Sequence, residues 1–296
     1  MQAIQPLQSS VPSMSQPKSD APIGIFDSGI GGLSVALEVL KYLPNEHIVY
    51  YADTANVPYG SRSDRNIREL TAQAIEWLYR QGCKIAIVAC NTASAFSLDY
   101  LREHYGEQFP IIGLVPAVKP AVIQSQTKTI AVLATPATFR GKLIQDVIQH
   151  FAVPCGVKVI PVTCPELVPL IEQGRALSAE CLLALQQHLQ PVVDLSADYL
   201  VLGCTHYPFL KSAIQQLYGE RLIMVDSGLA VARQCGRILA KFNLLSDHAA
   251  PDQVRLMCVF SANNSQTMQP VVHNLVGTPN AWQFVDLKNF IQMSTD

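Results

Sequence analysis

Strong charge of either sign is missing from this 296-residue chain: Lys and Arg total 21, Asp and Glu 23, so the formal net charge is −2 and charged residues make up only 15%. That argues against nucleic-acid binding or a polybasic membrane-surface role, because both need a concentrated basic patch. Long apolar runs are missing too. Hydrophobic residues reach 49% and mean hydropathy is +0.20, yet no stretch approaches the roughly 18 consecutive apolar residues of a membrane helix. The 8 cysteines fall short of the density of a disulfide-stapled secreted scaffold. None forms a Cys-x-x-Cys pair, which removes a zinc ribbon or a thioredoxin-like motif. The first 20 residues hold five Ser, four Gln and three Pro, with neither a basic nor an apolar segment, and read as a disordered tail rather than an export signal. The cysteines are therefore expected as thiols in a reducing cytoplasm. A soluble chain of this length implies two domains at about 150 residues each.

What is present is an alternation of short β-rich apolar runs with longer stretches of helical periodicity, the pattern of an α/β protein with parallel sheets. Strands are expected at 23–26, 48–52, 85–89, 111–114, 129–133, 157–162, 199–202, 222–225 and 254–260, and a last one at 281–287. A helix is expected over 63–80, where Ser63 caps the free amides and Ile67, Leu70, Ala74, Ile75 and Leu78 make one face. Gly82 ends it. A break at 246–251 sets off a final strand–helix–strand piece.

An internal repeat is more informative than any single element. Ile-Gly-Ile-Phe-Asp-Ser-Gly at 23–29 and Ile-Ala-Val-Leu-Ala-Thr-Pro at 130–136 are each a strand ending in a polar turn that leads toward a helix. From Asp27 to Cys90 is 63 residues, and from Thr135 to Cys204 is 69. At those distances an apolar strand ends in Cys90-Asn91-Thr92 in one half and in Cys204-Thr205-His206 in the other. Two related halves, each with one cysteine, are implied.

In open α/β sheets, ligands bind outside the carboxyl ends of the strands, where the next helix presents unpaired amides. A lone cysteine is ordinarily core filler, and Cys83, Cys155, Cys164, Cys181, Cys235 and Cys258 are read that way. Cys90 and Cys204 are not, because Asn-Thr or Thr-His directly after a buried strand is poor core material. A helix amino terminus is expected to lower both thiol pKa values. The turn Asp27-Ser28-Gly29-Ile30-Gly31-Gly32 supplies a carboxylate, a hydroxyl and a flexible backbone suited to a small carboxylate ligand. It fails the dinucleotide fingerprint, which needs Gly where Ser34 stands. The alternative for Asp27 is an ordinary helix cap. Pro58-Tyr59-Gly60-Ser61 is a turn that serves equally as surface or as ligand contact. His206, two residues past Cys204, is placed to relay protons. Glu172 reads as a solvated acid at a helix end.

Four segments, Phe-Asp-Ser-Gly-Ile-Gly-Gly-Leu-Ser, Val-Pro-Tyr-Gly, Ala-Cys-Asn-Thr-Ala-Ser and Gly-Cys-Thr-His-Tyr-Pro, together resemble glutamate racemase over about residues 22–290. The resemblance implies two pseudo-symmetric α/β domains with mainly parallel sheets flanked by helices and the active site in the cleft between them. The domains are expected over 21–115 plus 226–296 and over 116–225, after a tail at 1–20. It also implies a cytoplasmic homodimer that uses glutamate as substrate and no cofactor or metal, and that supplies D-glutamate for peptidoglycan. By resemblance, Cys90 and Cys204 are the proton-transfer pair, Cys90 serving the D enantiomer and Cys204 the L. Asp27, Ser28, Tyr59, Gly60, Asn91, Thr92, Thr205 and His206 match substrate-contacting positions. Asp27 and His206 also tune the thiols, Thr135 and Thr138 resemble the threonines of the second half, and Glu172 resembles an assisting acid. The related alternative is an aspartate or hydantoin racemase. A cysteine hydrolase would leave one matched thiol unexplained, and a noncatalytic amino-acid sensor would have no use for two.

Overall fold

Strand residues whose neighbours on both faces are apolar must be covered on both faces, and the runs noted above behave that way. A computed structural model of the chain describes residues 17–247, 254–278 and 281–293. Among the described residues ten strands form two sheets: β1 Ile23–Asp27, β2 Ile48–Ala52, β3 Ile85–Val88, β4 Ile111–Gly113, β5 Thr129–Leu133, β6 Lys158–Val162, β7 Tyr199–Leu202, β8 Ile223–Val225, β9 Leu256–Phe260 and β10 Trp282–Asp286. The six-stranded sheet runs β10-β9-β2-β1-β3-β4 and the four-stranded sheet β6-β5-β7-β8. Every pairing is parallel.

Alternation along each strand feeds two cores per sheet. Ile23, Ile25, Ile85 and Ile87 point into one core, and Phe26, Ala86 and Val88 into another on the opposite face. In the smaller sheet Ala131, Leu133, Leu200 and Leu202 face one way, and Ile130, Val132, Tyr199 and Val201 the other.

This order explains the repeat. β1 lies between β2 and β3, and β5 lies between β6 and β7. The chain therefore reverses winding direction beside β1 in one sheet and beside β5 in the other, and a crevice opens at each reversal. Cys90 follows β3 and Cys204 follows β7, the same relative position in both sheets.

Local signals are realised closely. The expected helix runs Asp64–Arg80, and the Ser63 side chain accepts from the Asn66 amide at 3.3 Å. Ile67, Ala74, Ile75 and Leu78 are buried, Leu70 is half-buried against the same core, and Gly82 follows at φ +73°, a backbone region open to glycine. Ser63→Ala is expected to cost about 1 kcal/mol. A urea midpoint lowered at unchanged slope would confirm it, and an unchanged midpoint would remove the cap.

Two expectations need correction. The tail does not extend to residue 20, because the Ser19 carbonyl accepts from Lys84 Nζ at 2.6 Å and from Ser246 Oγ at 2.8 Å. Lys84 is fully buried and paired with buried Glu46 at 2.6 Å, and a buried ion pair needs every remaining donor matched. That requirement draws residues 19 and 246 to one spot. Residues 1–16 of the expected tail, and 248–251 of the expected break, lie outside the described residues. Cys155, expected in the core, is exposed, because it sits in the turn between a helix and β6 that Gly156 completes.

Candidate active site

The carboxyl ends of the two sheets face one cleft with about 290 Å³ of empty space. Ser28, Tyr59 and Cys90 line it from the first half, and Thr135, Cys204 and His206 from the second. Gly60, Asn91, Thr92 and Thr205 line it too. Val168 also reaches the wall, a position for which the sequence carries no signal beyond an apolar helix residue. Asp27, Thr138 and Glu172 are not part of the wall but stand behind it.

Cys90 caps the helix Asn91–Tyr105 and accepts from the Ala93 amide at 3.5 Å. Its Sγ faces Ser28 Oγ at 3.7 Å. The expected lowering does not occur: burial pushes this thiol well up, the Asp27 charge adds to that, and the Ala93 amide only partly opposes. Cys204 does not start an α-helix. Its strand leads through a turn into the short 3₁₀ segment Tyr207–Leu210, and what faces its sulfur is a side chain, His206 Nδ1, at 3.7 Å.

His206 continues the chain of contacts: its Nε2 lies 2.5 Å from Glu172 Oε1. Glu172, expected to be solvated, has a side chain only 11% exposed, and it also accepts from the Ile30 amide at 2.8 Å. The reason is tertiary, because the helix Leu167–Glu172 ends against the Gly-rich turn of the other half. Burial opposes charge on His206, but its hydrogen bonds to Cys204 and Glu172 and their negative charges outweigh it and hold the imidazole pKa well above its usual range.

Asp27 is fully buried. It accepts from the Gly32 amide at 2.8 Å, as a cap would, and from Thr205 Oγ1 at 3.4 Å across the cleft. Burial raises its carboxyl from 3.8 to about 6, opposed by His206 and by the Gly32 amide.

The glycines of the turn are required by space. A Cβ on Gly31 would clash with the His206 ring at Nδ1, and one on Gly29 would clash with Glu172 Oε1. Gly31→Ala is thus expected to displace the imidazole from Cys204 and lower kcat by about 10²-fold, the effect of misplacing a reacting group by about 1 Å. Steady-state rates with an unchanged circular dichroism spectrum test this, and a wild-type kcat would mean that His206 placement is unimportant.

Three hydroxyls bridge the halves: Thr92 Oγ1 lies 2.8 Å from Thr135 Oγ1 and 3.3 Å from Thr138 Oγ1. Tyr59 donates to Asp53 Oδ2 at 2.6 Å, so its ring rather than its hydroxyl faces the cleft. Asp53 is buried and also accepts from Ser261 at 2.7 Å. Sequence reasoning missed Asp53, although an acid directly after β2, beside the reversal point, was an available signal. Asn91 Oδ1 is buried without a hydrogen-bond partner among the described residues, which is rare for a buried polar atom and marks a place for a ligand donor.

Two buried thiols, a relay of imidazole and carboxylate, and a small cleft with hydroxyl and amide side chains in its lining suit proton transfer on either side of a small acid. A sequence model of the family described as Asp/Glu/Hydantoin racemase matches residues 33–235. The glutamate racemase of Deinococcus radiodurans is 54% identical over 229 residues, which is 77% of this chain and 78% of that protein. The chain belongs to the glutamate racemase family, within the Asp/Glu/hydantoin racemases. Its fold agrees with solved family members. The Francisella tularensis glutamate racemase, crystallised with D-glutamate, superposes at a TM-score of 0.76 with 29% identity, covering 90% of this chain and 97% of that one. The Escherichia coli glutamate racemase, in complex with L-glutamate and the activator UDP-MurNAc-ala, gives 0.73 with 32% identity, covering 90% and 98%. As a racemase of this family the protein is an isomerase with a two-sheet α/β fold.

Proposed function

We propose that this racemase interconverts L- and D-glutamate by moving protons between the substrate α-carbon and two opposed thiols, without a cofactor. One observation carries the reading: Cys90 and Cys204 stand at equivalent strand ends of two different sheets, yet line one cleft. Racemisation removes hydrogen from one face of the carbon and returns it on the other, so a base and an acid on opposite sides satisfy both steps without turning the substrate over. The raised Cys90 thiol starts with its proton. His206 as imidazolium faces Cys204, the sulfur that takes the α-proton of the L enantiomer, and Cys90 then delivers hydrogen to the far face. The roles exchange in the reverse direction. Asn91 and the Thr92 and Thr135 hydroxyls are the substrate's polar contacts, along with Ser28, Gly60 and Thr205, and Thr138 holds the two threonine hydroxyls from behind. Relatives that carry L- or D-glutamate in their crystals support glutamate as the substrate.

In this reading residues 21–115 plus 226–296 and residues 116–225 act as the two lobes of a cytoplasmic homodimer that supplies D-glutamate for peptidoglycan. The test is direct. Purified protein given L-glutamate should form D-glutamate after dialysis against a chelator and with no pyridoxal phosphate added. Activity that vanishes on dialysis, or that returns only with pyridoxal phosphate, would defeat the cofactor-free mechanism. Turnover of aspartate or a hydantoin in place of glutamate would redirect the substrate.

A further inference from the structure

Cys164, Glu166 and His188 lie apart from the cleft wall and take no part in the mechanism above. Cys164 and Glu166 flank Pro165 in the turn after β6, and His188 projects from the helix Ala179–Asp194. One donor atom from each, a thiol sulfur, a carboxylate oxygen and an imidazole nitrogen, lies within 4.8 Å of the other two. His188 Nε2 is 2.9 Å from Glu166 Oε1. Ligands on a tetrahedral zinc ion at about 2.0–2.3 Å stand roughly 3.3–3.8 Å from one another, so the cluster needs only side-chain adjustment to close on an ion. Sulfur is buried at the base, while His188 and Glu166 are about one-third and two-fifths exposed at the rim, which leaves an entry path.

We infer that Cys164, Glu166 and His188 form a three-ligand site for a zinc-type divalent cation, distinct from the proton-transfer cleft. The donor set selects the ion class: thiolate with imidazole favours zinc and its spectroscopic substitute cobalt(II) over magnesium or calcium, which prefer oxygen alone. Binding forms the metal–sulfur bond as the Cys164 thiol releases its proton to solvent, with no change of oxidation state. The bound ion ties the turn preceding the helix Leu167–Glu172 to the helix Ala179–Asp194. It therefore braces the second lobe and takes no part in catalysis.

Cobalt(II) titration of the reduced, full-length protein tests the site. The expected result is one equivalent bound, with a thiolate-to-cobalt charge-transfer band, d–d absorption of tetrahedral intensity, and a Tm that rises with cobalt concentration. Cys164→Ser should abolish the charge-transfer band and the Tm rise. His188→Gln, at a partly exposed position outside the core, should weaken binding by more than the roughly 10–100-fold that loss of a supporting partner produces. Cys155→Ser and Cys204→Ser should keep the band. The site is refuted if wild type gives no band, if His188→Gln binds as tightly as wild type, or if the band survives Cys164→Ser. Loss of the band in Cys204→Ser would place the ion in the cleft and equally overturn the assignment. None of these outcomes bears on whether chelator-treated protein racemises glutamate.

Discussion

Replacing either Cys90 or Cys204 with Ala is expected to abolish racemisation in both directions, a loss of at least about 10⁴-fold, the upper end of what one positioned acid or base contributes. Each direction needs one sulfur as base and the other as acid, so neither variant retains a working half. In heavy water the wild-type enzyme should turn L-glutamate into D-glutamate that carries deuterium at the α-carbon, because the returned hydrogen comes from the opposite, solvent-equilibrated thiol. Unreacted L-glutamate should gain little label early in the reaction. A single base serving both faces would return some of the original hydrogen. Early product that keeps its proton, or one alanine variant at near-native rate, would falsify the two-thiol assignment.

Asp27→Asn and His206→Asn are expected to lower kcat/KM by about 10²–10⁴-fold. Enantiomers have equal free energy, so both directions must lose equally in kcat/KM, and only kcat and KM separately become asymmetric. Stability should move the other way for Asp27→Asn. The folded-state carboxyl is raised from 3.8 to about 6, so the native state binds the proton more tightly than the unfolded chain does. The associated stability is complete below about pH 4 and is lost as pH rises through 6. At neutral pH the ionised carboxylate therefore costs the free protein about 3 kcal/mol, which the neutral amide avoids. Asn still accepts from the Gly32 amide. Urea denaturation at pH 7.5 should show the variant more stable than wild type, with the difference vanishing near pH 4. A variant that is less stable at both pH values, or that racemises at the wild-type rate, would contradict the buried-carboxylate account.

The ten strands, the helix Asp64–Arg80 and the paired cysteines were legible because each depends on near neighbours in the chain. A strand buried on both faces must be continuously apolar, as β3 and β7 are, and a polar triplet directly after it has nowhere useful to be except a site. The repeat added topology, since equal spacing between turn and cysteine in the two halves reflects one strand order used twice.

Other features were out of reach because they depend on which surfaces meet. Glu172 sits among apolar and flexible neighbours in sequence, and only the packing of its helix end on the Gly29–Gly32 turn removes it from water and joins it to His206. The Cys90 thiol departs from its sequence expectation for the same reason. The helix-end amide that lowers its pKa is local, whereas the burial that raises it is collective and outweighs the amide. Asp53 holds Tyr59 through a contact that needs the turn folded back on β2. Sequence alone thus determined the family and the fold class, through periodicity and short motifs, and put Cys90 and Cys204 at matching strand ends. Tertiary structure alone decided the raised Cys90 thiol, the raised Asp27 carboxyl and the pairing of His206 with Glu172, because desolvation and cross-lobe hydrogen bonds exist only once the two halves face each other.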